Sequence, residues 1–320
     1  MPLVNTVLGP VEAADLGFIL SHEHIVCGSP GVVRGWPALY GGRDRLLDRA
    51  EAVLKRAVAD GVSTMVDATT FDLGREVDLL VESSRRSGMH IVAATGMWLA
   101  PSPALTVRTT DQIAAWFTAD LTVGLDGTDV RAGVIKVASE LELKPFEERV
   151  LEAAARAHAA TGAPIVTHSL ARNHMGEQQA AVLERFGVDP TRVVIGHSDD
   201  STEIDYLVSL ADRGYRIGMD RLPNGNLPEY GTQDVQARLR MIAALVARGY
   251  AEHVVLSHDD PIWAGVLSDI DQARHLASNP DVISFIPRIV LPGLRELGVP
   301  EAAITLMTRD NPQRWLSGAA

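Results

Sequence analysis

Eight short apolar runs recur along the chain, and stretches with helical spacing lie between them. The runs lie at 17–20, 63–68, 90–95, 132–138, 164–168, 192–197, 215–220 and 253–259. A strand buried on both faces reads as an unbroken apolar run, whereas a strand with one wet face alternates. Between the runs, apolar residues recur three and four apart, as a helix with one buried face requires. Leu46, Leu47, Ala50, Leu54, Ala57 and Val58 show this in the first such stretch, which stops near Gly61. The others span 75–86, 110–123, 145–160, 176–186, 202–213 and 234–247. Pro145 opens its helix, where a missing N–H costs nothing. Eight alternating units predict an α/β chain closed into a (β/α)8 TIM barrel. An open doubly wound sheet is the alternative. A barrel takes ~250 residues. The chain has 320 and shows no break in composition, so residues 1–320 are expected to form one domain. Outside the pattern lie a Gly/Pro-rich loop at 27–42, with Trp36 and Tyr40 as its expected anchors, and loops at 96–103, 223–232 and 260–284. The tail from 281 to 316 reads as loops and helices.

Charge narrows the partners. The formal net charge is −12, with no Lys/Arg-rich run. Neither nucleic acid nor an anionic membrane surface is an expected partner. No apolar run approaches the ~20 residues of a membrane span. Residues 1–10 carry neither the charged nor the apolar part of a signal peptide, and cytoplasmic placement is expected. Cys27 is the single cysteine. It cannot form an internal disulfide, and its expected role is that of a small buried apolar side chain. No glycine-rich phosphate loop is present.

The polar residues at the C-terminal ends of the runs form a set. The first run leads into Ser21-His22-Glu23-His24. Side chains two apart on a strand share a face, so His22 and His24 point one way and Glu23 the other. Two imidazoles on one face suit a divalent cation such as zinc. Hydrogen bonding within a core is the plain alternative. Lys136 lies in the fourth run, His168 ends the fifth, His197 the sixth and Asp259 the eighth. A barrel of this kind builds its active site from these ends, so the residues converge on one mouth. By contrast, His90 and His253 start strands, His158 and His275 lie in helices, and His174 follows a strand. Surface or structural roles are expected for those five. An ammonium group has donors only and cannot ligate a cation. Lys136 fits the set after reaction with carbon dioxide, which makes it a carbamate with two oxygens. A pair with an acid such as Glu140 is the alternative.

The set His22-x-His24, Lys136 within Val134-Ile135-Lys136-Val137-Ala138, His168, His197 within Ile195-Gly196-His197-Ser198-Asp199-Asp200, and Asp259 resembles the phosphotriesterase family of the amidohydrolase superfamily. The resemblance runs over nearly the whole chain. It includes Gly35-Trp36-Pro37, Ala93-Ala94-Thr95-Gly96-Met97-Trp98, Gly176-Glu177-Gln178-Gln179-Ala180 and Phe285-Ile286-Pro287. It implies a binuclear metal site at the C-terminal ends of the strands. His22, His24 and Asp259 would hold the more buried ion, His168 and His197 the more exposed one. Carboxylated Lys136 and a hydroxide would bridge the two. Zinc is the first expectation, with cobalt, manganese or iron as the others. Two cations lower the pKa of a shared water and polarise the oxygen under attack. Asp259 would orient the hydroxide and take its proton.

The family divides between phosphotriesterases and lactonases that open acyl-homoserine or other lactones. Trp98 is similar to the pocket-wall tryptophan of the first group; packing at a rim is the alternative. Arg221 departs from that group, which carries histidine after the aspartate matching Asp220, in a relay with the aspartate matching Asp200. Arginine there is the lactonase habit, and it cannot shuttle protons. A salt bridge to Asp200 or Asp259 is its alternative role. The loop at 223–232 is intermediate in length between the two groups. Trp263, with Pro261, Ile262 and Leu267, would line a lid over a hydrophobic group. The expected activity is hydrolysis of a lactone or carboxylic ester, with organophosphate triester hydrolysis competing or accompanying. The expected partners are a small-molecule substrate and a second copy of the chain in a homodimer. The alternative from another class is a barrel that binds a ligand without catalysis.

Overall fold

The computed structural model describes residues 2–101, 103–223, 234–264, 277 and 279–319. The chain starts with an antiparallel hairpin, β1 (Leu3–Thr6) and β2 (Gly9–Glu12). No apolar run announces it, because only some of its side chains are buried. Then β3 (Phe18–Cys27) leads through a short α1 (Val32–Gly35) to α2 (Arg43–Ala59). Next come β4 (Val62–Asp67), α3 (Val77–Ser87) and β5 (His90–Gly96). The short α4 (Pro103–Thr106) and α5 (Thr110–Thr122) precede β6 (Val134–Ala138). The alternation continues with α6 (Pro145–Thr161), β7 (Ile165–His168), α7 (Met175–Arg185) and β8 (Val193–Ile195). It runs on through α8 (Ile204–Asp212), β9 (Arg216–Met219), α9 (Val235–Ala247) and β10 (Val254–Leu256). β11 (Pro261–Ala264) follows, and the tail carries α10 (Leu291–Glu296), α11 (Glu301–Thr305) and α12 (Asn311–Ser317). Expected and observed elements agree to within about two residues at most ends.

All neighbours in the main sheet are parallel, in the order β10-β9-β8-β7-β6-β5-β4-β3-β11. The eighth barrel position corrects the expectation of one strand at 253–259 followed by a loop. It is split in two. β10 pairs with β9, and β11 pairs with β3 through Pro261 opposite His24 and Trp263 opposite Val26. The two halves are joined by residues 257–260, so the ring closes through a broken strand. The sequence offers Pro261-Ile262-Trp263-Ala264 as a second apolar run, and proline at a strand's first residue is tolerated. Leu267, His275 and most of the 260–284 and 223–232 loops lie outside the described residues.

The loop at 27–42 also differs. Cys27 ends β3, and helical turns occupy Val32–Gly35 and Pro37–Tyr40. Trp36 is 64% exposed, so it is not the buried anchor expected of this loop. The Tyr40 side chain lies outside the described residues.

Two apolar layers hold the barrel. Outward-facing residues such as Ile135, Val137, Ile165, Ile195 and Ile217 pack on the helices. Inward-facing Val66, Val92, Val134, Val166, Val194 and Val255 fill the barrel with Leu16, Ile19 and Trp315. This plug is the packed interior of such a barrel. Trp315 on α12 is fully buried, and its indole N–H donates to the carbonyls of Ile165 and Arg192, where β7 and β8 begin. The plug therefore sits at the N-terminal end and leaves the other end for polar groups. Replacing Trp315 by alanine should cost about 3–5 kcal/mol through the cavity left behind. Chemical denaturation checks this, and a loss below 1 kcal/mol would mean that α12 does not seal the barrel.

Candidate metal centre

The plug sets the height of the site. Val134 on β6 belongs to it, and Lys136 follows on the same face. Val166 on β7 belongs to it, and His168 follows likewise. Each is thus the next inward layer, as the two-residue period of a strand requires. His22 and His24 face the same space from β3. His197 and Asp259 lie past the ends of β8 and β10 and have left-handed backbones, φ 58° and 51°. Non-glycine residues seldom hold this conformation unless their surroundings enforce it.

These side chains meet. The His22 Nε2 atom lies 2.7 Å from Lys136 Nζ, and His197 Nε2 lies 2.8 Å from His168 Nδ1. Asp259 Oδ1 is 3.1 Å from His24 Nε2 and 3.5 Å from His22 Nε2. Its Oδ2 is 3.6 Å from His197 Nε2. One ligand atom each from His22, His197 and Asp259 falls within 4.8 Å of the others, a spacing that can hold a metal ion. All but Asp259 are buried, and its carboxylate is 18% exposed. Lys136 approaches His22, and Glu140 instead meets His168.

A second ring of groups orients the first. Asp220 accepts from Nδ1 of His22 (3.0 Å) and of His197 (2.9 Å), which turns both Nε2 atoms toward the centre. Thr69 Oγ1 lies 2.8 Å from His24 Nδ1. Glu140 Oε1 lies 3.3 Å from His168 Nε2, leaving Nδ1 facing inward. Partners of this kind fix the tautomer and aim of a ligating histidine. Thr69 and Glu140 stand in loops beyond strand ends, where neither period nor motif marks them.

Electrostatics favours ligation. Burial lowers His22 well below its ordinary pKa, and the nearby Lys136 charge adds to this. Burial does the same to His197, helped by Arg221, and takes His168 down to about 4. These three rings are therefore neutral at neutral pH, each with one bare nitrogen able to bind a cation. Burial also brings Lys136 down to about 8, against the pull of Asp259 and Asp220. At His24, burial acts downward, but Cys27 and the bonded Asp259 outweigh it and raise the pKa well above its usual value. A bound cation would displace that proton.

His90, His253, His158 and His174 lie away from this cluster. His90 begins β5, and His253 bonds the Tyr215 carbonyl just before β10. His158 caps a carbonyl at the end of α6, and His174 stacks on Tyr206.

With the geometry in place, comparison with known sequences is informative. A sequence model of the phosphotriesterase family matches residues 2–316. The chain belongs to the phosphotriesterase family. A phosphotriesterase homology protein of Mycobacterium tuberculosis (strain ATCC 25618 / H37Rv) is 34% identical, over 98% of this chain and 97% of its own. An aryldialkylphosphatase of Saccharolobus solfataricus is 33% identical, over 99% of each chain. An N-acetyltaurine hydrolase of Rattus norvegicus is 27% identical, over 98% and 97%.

Arg221, the residue that departs from the phosphotriesterase pattern, is buried. Its Nη1 donates to Asp200 Oδ2 at 2.6 Å and its Nε to Asp259 Oδ2 at 3.2 Å. Burial opposes its charge, but Asp200 and Asp259 outweigh burial and raise its pKa. Arg238, fully buried on α9, meets Asp199 at 2.5 Å and Asp200 at 2.8 Å. Asp199 in turn accepts from the amides of Asp220 and Arg221. Sequence reasoning missed Arg238, because an arginine on an amphipathic helix reads as solvent-facing. Trp98 is half-buried, with its ring edge-on to His168 at 6.1 Å between centroids. Its amide and that of Ala100 donate to Asp72, another residue that no pattern marked. Trp263 meets the guanidinium groups of Arg45 and Arg49 on α2 at 5.7 and 5.8 Å. Arg238→Ala should destabilise the fold by about 3–5 kcal/mol, since it strips a cation from buried carboxylates. A denaturation midpoint equal to wild type would show that those carboxylates are neutral.

Proposed function

We propose that this chain is a metal-dependent hydrolase that opens a lactone or carboxylic ester, with organophosphate triesters as the competing or accompanying class. The observation that carries the proposal is the convergence of His22, His24, Lys136, His168, His197 and Asp259 above the apolar plug. The donor chemistry fits cations: three imidazoles held neutral, a fourth at His24 whose proton a cation would displace, a carboxylate, and an amine depressed enough to react with carbon dioxide. His22, His24 and Asp259 would hold one ion and His168 and His197 the other, with carboxylated Lys136 between them. Two divalent ions, zinc before cobalt, manganese or iron, would lower the pKa of a shared water toward 7 and polarise the substrate oxygen. Asp259 is the proton acceptor of choice. Burial acts upward on its carboxylate, but its charged and hydrogen-bonded neighbours hold it below the usual range, so the group is ionised and open to a proton. It is also the partly exposed member of the set.

Trp98 would form a wall beside His168, next to a cavity of about 100 Å³ bounded also by Leu99, Pro101 and Phe146. Trp263 would add to the far side from β11. Arg221 supports the lactone class. It holds Asp200 and Asp259 with a fixed cationic fork and offers no proton relay. The triester class is supported by the tryptophan at position 98 and by the relative named aryldialkylphosphatase.

An activity panel of aliphatic lactones and aryl dialkyl phosphates tests the class directly. Chelation should abolish turnover and zinc, cobalt or manganese should restore it, with two metal ions per chain by elemental analysis. Asp259→Asn should lower kcat by ~10²-fold or more, as loss of a proton acceptor does. Full activity in metal-free protein would end the proposal.

Arg221→His should keep both metals and shift kcat/KM toward phosphotriesters relative to lactones by ~10-fold, roughly 1.4 kcal/mol of differential transition-state binding. Equal losses on both classes would remove the support that Arg221 lends to the lactone class.

A further inference from the structure

The split eighth strand leaves a seam in the barrel. Residues 257–260 join the half that pairs with β9 to the half that pairs with β3. His22 and His24 lie on one side of this seam and Asp259 on the other. Asp259 has a left-handed backbone, and its amide donates to the His22 carbonyl at 3.1 Å, so a single backbone bond rather than a regular ladder ties it to β3.

Across the seam, on the outer face, lies a buried polar pair. Glu23 points away from His22 and His24, and both Glu23 and His258 are fully buried. One oxygen, Glu23 Oε1, accepts from the Ser257 hydroxyl (2.6 Å), the His258 amide (3.0 Å) and His258 Nδ1 (2.5 Å). The other ring nitrogen, Nε2, accepts from the Ile286 amide at 3.0 Å. An acceptor at Nε2 places the ring proton on Nδ1, where it donates to Glu23. The Ser257 hydroxyl also accepts from the His22 amide at 2.9 Å. A continuous chain thus runs from the His22 amide through Ser257 to Glu23, and from Glu23 to the residue before Asp259.

Most of the outer face is apolar, as at Ile25, Ile135, Val137 and Ile165. An apolar pair would close a sheet at lower cost than a buried carboxylate. A carboxylate with three donors does what an apolar pair cannot: it fixes direction and spacing. We propose that Glu23 and His258 are positioning residues that lock this seam from outside and set the separation of His22 and His24 from Asp259. The proposal rests on the metal-centre reading above.

Cobalt(II) is the probe for its test. Wild type, Glu23→Leu, His258→Phe and Glu23→Gln are stripped with chelator and reloaded. Affinity is read by chelator competition and ligand geometry by the visible spectrum of the cobalt protein. Glu23→Leu and His258→Phe should lose about 10–100-fold in affinity, the range for partners that orient metal ligands, and should change the spectrum. Glu23→Gln keeps an acceptor oxygen for the same donors and should restore both. Trp315→Ala, at the far end of the barrel, is the control for general loosening and should lower Tm with affinity and spectrum intact. Wild-type affinity and spectrum in Glu23→Leu and His258→Phe would overturn the proposal, whatever their Tm. Should those two not fold, Ser257→Ala removes only the hydroxyl between Glu23 and His22, with the same expected and overturning results. A wild-type protein that takes up no cobalt would overturn the metal-centre reading itself, and the positioning role with it.

Discussion

A carboxylate cannot sit inside a barrel without donors, and Asp220 has three. His22 Nδ1, His197 Nδ1 and the His197 amide all point at it, within 3.0 Å. Leaving such a charge unpaired would cost several kcal/mol, so these bonds bind the first strand and the turn after β8 to the end of β9. They also decide which nitrogen of each ring faces the centre. The space around this carboxylate is made by a missing side chain. A Cβ on Gly218 would lie 2.8 Å from Asp220 Oδ2. The glycine is therefore required by close approach, and its place on an inward-facing position of β9 follows from the carboxylate above it.

The barrel interior is divided by this demand. Its N-terminal half is filled by valines and Trp315, with its polar groups met locally: the indole N–H by two carbonyls and the Thr64 hydroxyl by the Leu16 carbonyl. Its C-terminal half holds histidines, aspartates, a lysine and two arginines that must satisfy one another. Stability is concentrated in the first half and chemistry in the second, as barrels of this kind arrange them. Arg221 belongs to both concerns. It neutralises Asp200 and Asp259 as part of the fold, and by doing so takes a place that could otherwise carry a proton relay.

Two of the groups proposed to do the chemistry stand where regular structure stops. His197 and Asp259 take left-handed backbones beyond β8 and β10. A strand aims alternate side chains at fixed angles, and a site that encloses a point needs other angles as well. Left-handed turns provide them, at a conformational cost that the surrounding hydrogen bonds offset. The seam at the eighth strand is the same compromise on a larger scale, with the chain changing partner over residues 257–260, from the Met219 carbonyl on β9 to the His22 carbonyl on β3.

Much of this was legible in the chain alone. Continuous apolar runs at barrel spacing specify parallel strands, because only strands covered on both faces lack polar alternation. The two-residue period put His22 with His24 and set Glu23 on the other face, and the order of ligand-type residues at run ends marked the mouth. These are local properties, carried by neighbours in sequence. Three-dimensional packing decided the rest. The pairing of β11 with β3 depends on which strand edge remains free when the ring closes, and no local pattern encodes that. The partners Thr69, Asp72, Glu140 and Arg238 come from loops and a helix far away in sequence. Each is an ordinary polar residue until folding buries it beside a group of matching hydrogen-bonding character. The sequence by itself determined which faces are apolar and which residue types meet at the mouth. Only the tertiary structure decided how each buried charge is answered, because that depends on distances between segments that the chain order leaves free.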